Sequence, residues 1–549
     1  MWVVRLTDNQ PRPAGRNVRA LLALLIAFTG AVHVHQIPSR RALEVAPLDH
    51  GRQSGDPRPQ VRCTTVIVGR AATAGGEVLL GHNEDLGDSN AQHYLVVGRA
   101  QHEAGEVVTL WSGAEVPQVE ETSGYIATSI FDVEYTPGDL TSGINEHQVS
   151  VANNLAEQRD ADPDVPVEGR ILWSELTRFA LERARTAREG VMVIGDLVHA
   201  HGLAVDTGTM FAVTDPVEVW WIEIAQEGQW VAQRVADDAA SVRANAYRIS
   251  VVDLDDDESF LSSPDVIDHA VAMGWYDETD GPFDFARVYG DAEVAEASWN
   301  THREDRVSAL LNRHVPAVTV LDMMAVLRDH YEGTALDLSE SYTIGSPHRT
   351  DEYCVCDLST EVSVVCQSRG WLPAEIGGVC WRAMATPCTS VYIPWYVGQI
   401  GVPSQYATGT DERSPGSAYW TFRDLAEAVD ARYGETARDV RGMWEELEAR
   451  EVDEQAADEA VAMDLYATDP EEAREVLSAR TSELAVQAYD RATALLANGL
   501  DVDELSEEAA ARPGDGTCTC RAVGGRRPSL CVYAWMLVGL ALAWRRLGG

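Results

Sequence analysis

An α+β fold, with β-sheets covered by helices, is predicted for this 549-residue chain by three observations. β-like runs begin abruptly at Cys63. Two amphipathic helical stretches interrupt them between Ile171 and Gly202. More strands follow, before an acidic helical region from Trp420 through Ala497. Strands, then helices, then strands within one chain suggest sheets sandwiched by helices.

The elements follow in order. Val66 to Val68 reads as a first strand, Thr73 to Gly76 as a turn, and Glu77 to Gly81 as the returning strand of a hairpin. His93 to Val97, Gly124 to Ile130 and Val149 to Ala152 are further strands. Ile171 to Arg185 carries Leu172, Leu176 and Phe179 on one helical face. The next helix opens on Thr186-Ala-Arg-Glu189, a capping box in which Thr186 and Glu189 satisfy each other's amide donors, and Gly202 ends it. Met210 to Val213, Val217 to Ile224 and Trp230 to Val235 are strands. Trp220 and Trp221 are expected to place one ring in the core and one in solvent, because strand neighbours point to opposite faces.

Composition narrows the function. The formal net charge of -44 opposes a nucleic-acid partner, since phosphate repels it. All 43 basic residues are arginine, which excludes Schiff-base or P-loop lysine chemistry. Arg16 and Arg19 before the apolar run Ala20 to Phe28 predict an export signal over 1–34. Residues 35–62 lack periodicity and read as a pro-segment. The compact domain is expected over 63–505, a linker with Cys518-Thr-Cys520 over 506–528, and an apolar segment between arginine pairs over 529–549. That segment predicts membrane anchoring or cell-surface sorting. His33 and His35 fall in the signal, and the acidic run Asp253 to Glu258 reads as a solvated loop rather than a calcium site.

Nine cysteines form three groups. Cys354, Cys356, Cys366, Cys380 and Cys388 allow two bridges with one thiol left over, and an exported chain permits disulfides. Zinc is the competing reading, weakened because no nearby spacing is Cys-x-x-Cys. Cys518, Cys520 and Cys531 belong to the C-terminal segment, and Cys63 stands alone. It lies where a loose leader meets the first strand of a compact domain, a favoured place for processing. Cleavage before it would put a thiol and an α-amine on one residue. With the amine near about 7.7–8.0 and the thiol near about 8.5, the amine can accept the thiol proton without a separate histidine.

The stretch "CTTVIVGRAATAGGEVLLGHNED" resembles the mature N-terminus of the dipeptidase A and secernin family of N-terminal-nucleophile (Ntn) cysteine hydrolases. "GINEHQVSVANN", "LERARTAREGVMVIGDLVHAHG", "FAVTDPVEVWWIEI", "QWVAQRVADDAASVRANAYRI", "PFDFARVYGD", "LPAEIGGVCWRAMATPCTSVYIPWY" and "SAYWTFRDLAEAVDARYG" resemble later blocks in the same order. The Cys-x-Cys, apolar helix and terminal arginine pair resemble the sorting tags of myxobacterial surface proteins.

The family resemblance implies a four-layer αββα sandwich with additional C-terminal helices. It implies a dipeptidase acting on dipeptides or short peptides through an acyl-enzyme on Cys63, with no metal or organic cofactor; an oligomer is compatible with it. The alternatives are an amidase for N-acyl compounds, or a degenerate surface-binding protein. Attack of Cys63 on the Arg62 carbonyl, or a trypsin-like cut after Arg62, would release the leader. In related amidases an Arg and an Asp follow the nucleophile in a Gly-Arg-Asn-x-Asp pattern; here Gly81-His-Asn-Glu-Asp85 stands there. Asp85 thus matches the residue that orients the α-amine, while His82 replaces a permanent cation. Asn154 or Asn153, and Asn245, fall at oxyanion positions. The later catalytic arginine has two candidates, Arg349 and Arg369.

Overall fold

The computed structural model describes residues 62–86, 91–130, 139–340, 342–348, 353–409 and 412–505. The expected signal, the pro-segment apart from Arg62, the linker and the apolar tag lie outside them. Among the described residues no helix is long and apolar enough to cross a membrane. The sandwich lies within a unit ending at Val502; of the C-terminal unit, Asp503–Gly549, only Asp503 to Leu505 are described.

In chain order the sandwich is built from β1 (Thr64–Val68), β2 (Val78–Glu84), β3 (Gln92–Val97), β4 (Tyr125–Ile130), β5 (Leu140–Asn145) and β6 (Ser150–Ala156). Helices α1 (Trp173–Arg183) and α2 (Ala187–His201) follow, then β7 (Gly208–Thr214), β8 (Val219–Ile224), β9 (Trp230–Val235), β10 (Ala240–Arg243) and β11 (Phe260–Ser262). Next come α3 (Ser298–Leu311), α4 (Val320–Leu327), β12 (Val362–Ser368), β13 (Val379–Met384) and β14 (Ile393–Tyr396). Helices α5 (Ala418–Ala431), α6 (Tyr433–Tyr466) and α7 (Pro470–Ala497) follow.

Two antiparallel sheets result. One has six strands in the order β10-β1-β2-β12-β13-β14; the other has eight, β11-β9-β8-β7-β6-β5-β4-β3. Leu176 and Phe179 of α1 and Val191, Ile194 and Val198 of α2 pack on Val151, Phe211, Val213 and Trp220 of the eight-stranded sheet. Val307 and Leu311 of α3, Met323 and Leu327 of α4, and Ala473 and Leu477 of α7 pack on Val66, Val68, Leu79 and Trp381 of the six-stranded sheet. The sheets face each other between these outer layers, so the fold is the expected αββα sandwich.

Double coverage corrects the expectation for the tryptophan pair. Trp220 and Trp221 are both fully buried. Trp220 faces the helices, while the Trp221 indole donates to Ser241 Oγ of β10, in the opposite sheet, at 2.9 Å. A strand with both faces covered has no solvent side. The capping box is also modified. The Thr186 hydroxyl accepts from Glu189 N at 3.1 Å, but the Glu189 carboxylate accepts from Arg185 N, not from Thr186. Cys366 and Cys380 are paired neighbours on β12 and β13 and form a disulfide, whereas Cys354, Cys356 and Cys388 are free thiols. The cluster therefore makes one bridge where its number allowed two.

Gly195 shows how closely the helix layer sits on its sheet. A Cβ at this position would lie 2.3 Å from Cζ2 of the Trp230 indole. A rigid ring cannot yield as a flexible side chain can. Gly195→Ala is expected to destabilise the chain by about 1–3 kcal/mol despite its better helix propensity, measured by urea denaturation at fixed pH.

Candidate functional site

Strand parity decides which side chains reach the space between the sheets. On β1, Val66 and Val68 join the helix-side core, so Thr65 turns inward toward the second sheet. On β2, Leu79 joins the same core and Asn83 donates to Leu327 O and Val355 O, so His82 and Glu84 share the inner face. On β6, Asn153 donates to Thr141 O and Thr177 Oγ1 of α1, while Asn154 points inward. The sequence left Asn153 and Asn154 as alternatives at the oxyanion position. The geometry brings Asn154 to Cys63 and sends Asn153 to the helices.

Cys63 is 1% exposed, at the start of β1. Its thiol donates to Glu84 Oε1 at 3.3 Å. Its carbonyl accepts from Asn154 Nδ2 at 3.3 Å and from an Arg303 terminal nitrogen at 3.1 Å. Burial pushes the thiol well up, and the neighbouring Glu84 and Asp85 add to the shift. With residue 63 in amide linkage to Arg62, the thiol is therefore held protonated.

His82 is completely buried, not solvated, and bonded at both ring nitrogens. Nδ1 lies 2.6 Å from Thr65 Oγ1, and Nε2 lies 2.9 Å from Glu84 Oε2. Asn154 fixes the proton count. Its Nδ2 donates to Ala244 O at 2.7 Å, so its Oδ1 must be the acceptor for Thr65, at 2.5 Å. The single Thr65 proton is then used, and His82 Nδ1 must donate to the hydroxyl. Nε2 faces the Glu84 carboxylate, whose other oxygen accepts the Cys63 thiol, so the His82 ring reaches the sulfur through Glu84. Cys63, His82 and Glu84 place their potential ligand atoms within 4.8 Å of one another, although these atoms already serve as each other's partners.

Asp85 closes β2 beside the Arg62–Cys63 peptide, and its backbone carbonyl accepts from Arg62 N at 3.1 Å. Among the described residues, neither of its buried carboxylate oxygens has a hydrogen-bond partner. Burial, and next the Asp357 charge, push this group up to about 8. Thr360 opposes the shift, but the loss of solvation dominates.

Sequence reasoning did not single out Arg303. Its guanidinium is fully buried, and it rises from α3 to the start of β1. One terminal nitrogen donates to the carbonyl of Arg62 and to Thr64 Oγ1, the other to Asn245 Oδ1 at 3.0 Å and Asn300 Oδ1 at 3.3 Å. Its Nε donates to Trp299 O. Asn245, expected at the oxyanion position, instead donates to Leu155 O and meets Cys63 only through Arg303. Arg369 is excluded from the site: it forms a buried pair with Glu459 at 2.6 Å. Arg349 lies outside the described residues. A signal for Arg303 did exist. Asn300, Arg303, Val307 and Leu311 lie at helical spacing, so two polar side chains continue an apolar stripe. Glu84 was equally visible, two residues from His82 on one strand face.

Arg62 lies with its guanidinium 3.1 Å from the centroid of the Tyr353 ring, a cation–π contact that fixes it beside Cys63. A cleft of about 510 Å³ elsewhere, lined by Asp329, Glu332, Tyr342 and Arg441, includes none of the residues bonded to Cys63.

The profile of peptidase family C69 matches residues 62–446. A "Probable dipeptidase" of Salmonella dublin is 29% identical over 379 residues, covering 65% of this chain and 85% of that protein. A "Probable dipeptidase B" of Streptococcus pyogenes serotype M1 is 27% identical over 461 residues, covering 79% and 91%. Among solved structures, penicillin V acylase from Agrobacterium tumefaciens superposes with a TM-score of 0.30 at 14% identity, covering 60% of this chain and 86% of the acylase. A mutant of the conjugated bile acid hydrolase from Clostridium perfringens gives 0.27 at 12%, covering 59% and 89%.

Asp85 has a pH signature in the unprocessed chain. Its folded value of about 8 lies above the unfolded value of about 3.9, so between them the unfolded chain loses its proton first and stability falls as pH rises. In a chain carrying Cys63→Ala, the further change Asp85→Asn is expected to stabilise by about 2–4 kcal/mol at pH 7 and to make no difference below about pH 4. Denaturation curves across this pH range measure it.

Proposed function

The chain belongs to peptidase family C69, and from that premise we propose that it is an exported cysteine-type dipeptidase that frees its own nucleophile, Cys63. The observation that carries the reading is the arrangement around the Arg62–Cys63 bond. A buried cation, Arg303, donates to the Arg62 carbonyl, the adjacent thiol faces a carboxylate, and Asp85 waits without a partner where an α-amine would form. Export rests on the apolar run near the N-terminus, and surface anchoring on the apolar segment near the C-terminus.

Leader release follows from these groups. The Cys63 sulfur attacks the Arg62 carbonyl carbon while its proton passes to Glu84. Negative charge develops on the Arg62 oxygen, against Arg303. Breaking the C–N bond leaves a thioester and, with a proton returned to nitrogen, the free amine of Cys63. Water hydrolyses the thioester and releases a leader ending in the Arg62 carboxylate.

The new α-amine, once it has taken the thiol proton, supplies as an ammonium the partner that Asp85 lacks. In the mature enzyme the amine takes the thiol proton, and the thiolate attacks a dipeptide carbonyl. Arg303 and the Asn154 amide hold the oxyanion, the protonated amine gives its proton to the leaving amino acid, and water then cleaves the acyl-enzyme. Asn245 and Asn300 act on this chemistry by fixing Arg303. The His82–Glu84 pair orders the seam beneath the thiol. A short substrate suits a nucleophile enclosed between two sheets.

Purified protein is expected to begin at Cys63 by intact mass and N-terminal sequencing, and the Cys63→Ala chain to keep its leader. Loss of the leader from Cys63→Ala would assign cleavage to another protease. Arg303→Gln is expected to slow leader release about 100–1000-fold, by the weight of an oxyanion donor, with unchanged circular dichroism showing that the chain still folds. Mature enzyme is expected to hydrolyse dipeptides; turnover of N-acyl amides alone would replace the dipeptidase reading with an amidase.

A further inference from the structure

Four side chains converge away from Cys63. His330 follows α4, His348 comes from a connecting segment, Cys356 precedes β12, and Cys388 lies in the short 3₁₀ turn Pro387–Thr389. Each offers one ligand atom, and these atoms lie within 4.8 Å of one another. All four side chains are buried.

The two imidazoles are arranged to hold a proton or a metal ion between them. His348 Nδ1 lies 2.8 Å from Asp430 Oδ1, and His330 Nδ1 lies 3.3 Å from Glu332 Oε1. A carboxylate at Nδ1 holds the proton there and leaves a lone pair on Nε2. Yet the two Nε2 atoms face each other at 3.1 Å. Two bare lone pairs at that distance repel. A proton shared between them or a metal ion bound by both removes the conflict, and the two converging sulfurs supply the rest of a metal's ligand set. Distances agree: tetrahedral zinc with Zn–N near 2.05 Å and Zn–S near 2.3 Å places two nitrogens about 3.3 Å apart and a nitrogen and a sulfur about 3.6 Å apart. Cys388 Sγ lies 3.7 Å from His348 Nε2.

The geometry points to a structural zinc site, with His330 Nε2, His348 Nε2, Cys356 Sγ and Cys388 Sγ as ligands and Asp430 and Glu332 orienting the histidines. Two thiolates balance the dication, so the buried centre is neutral, and two protons leave as it forms. Nothing in this closed set leaves a position for substrate, which makes the ion a staple and not a Lewis acid for catalysis. The staple has a clear target. Cys356 lies between Tyr353, which carries Arg62, and Asp357, whose charge raises Asp85. The zinc would pin the wall of the Cys63 site to the end of α4 and to the turn before β14. The cysteine spacing gave no zinc signature because two of the ligands are histidines from other segments.

The test is metal content. Protein purified without added metal or chelator is expected to carry about one zinc per chain by elemental mass spectrometry. Cobalt(II) exchanged for it is expected to show thiolate-to-metal charge transfer. Cys356→Ser with Cys388→Ser is expected to lose the metal, and Asp430→Ala to weaken zinc retention against a chelator about 10–100-fold. Wild-type protein with no stoichiometric metal, or with Cys356 and Cys388 joined in a disulfide by peptide mapping, would overturn the assignment, as would zinc retained in the double variant. These readouts are independent of peptidase activity, so a failed zinc site and a failed dipeptidase reading are told apart.

Discussion

A single buried guanidinium ties the sandwich to its chemistry. Arg303 is enclosed completely, and removing a charge from water is costly unless its donors are satisfied. Its acceptors are three backbone carbonyls, a hydroxyl and two amide oxygens. None of these is a carboxylate, so hydrogen bonding is saturated without the charge being cancelled by a bonded anion. The same contacts join α3 to the first residues of β1 and to Asn245 just after β10. A cation held this way is pre-oriented toward the Arg62 and Cys63 carbonyls before any negative charge develops there, the condition under which electrostatic stabilisation needs no reorganisation.

Much of this was legible in the chain, and the limits have physical causes. Strand alternation is a local signal, so the hairpin of β1 and β2 and the strands β6 to β9 can be read directly. The same alternation explains why Asn154 and not Asn153 reaches Cys63, but only once the covered face of β6 is known. Trp220 and Trp221 show the converse. Alternation predicted opposite faces correctly, yet the exposure of one face depends on a second sheet that no local pattern reports. Arg303 and Asn245 lie 58 residues apart, and tertiary packing brings them together. Only the polar interruption of an otherwise apolar helical stripe marked Arg303, a weak signal in a chain whose basic residues are all arginine.

His82 sharpens the point about environment. Residue type suggested a weak, pH-dependent substitute for a permanent cation. Its hydrogen bonds tie it to Thr65 and Glu84 in a dry seam. The imidazole is thus held against a carboxylate and set one residue back from the sulfur. In the proposed chemistry, anion stabilisation therefore falls to Arg303, whose bonded acceptors include no carboxylate.

The unprocessed chain stores an electrostatic imbalance at this seam. Asp85 is buried without a hydrogen bond, near Asp357 and Glu84, and the Cys63 thiol is raised by the same surroundings. Both features are unfavourable to charge while residue 63 is an amide. In the proposed maturation that amide becomes an amine, which can accept the thiol proton and, as the ammonium so formed, gives Asp85 a counter-ion. On that proposal one covalent change both supplies Asp85 with a partner and creates the base the thiol needs. The imbalance then favours the proposed cleavage, and the resulting ion pair opposes the return of an acyl group to the amine.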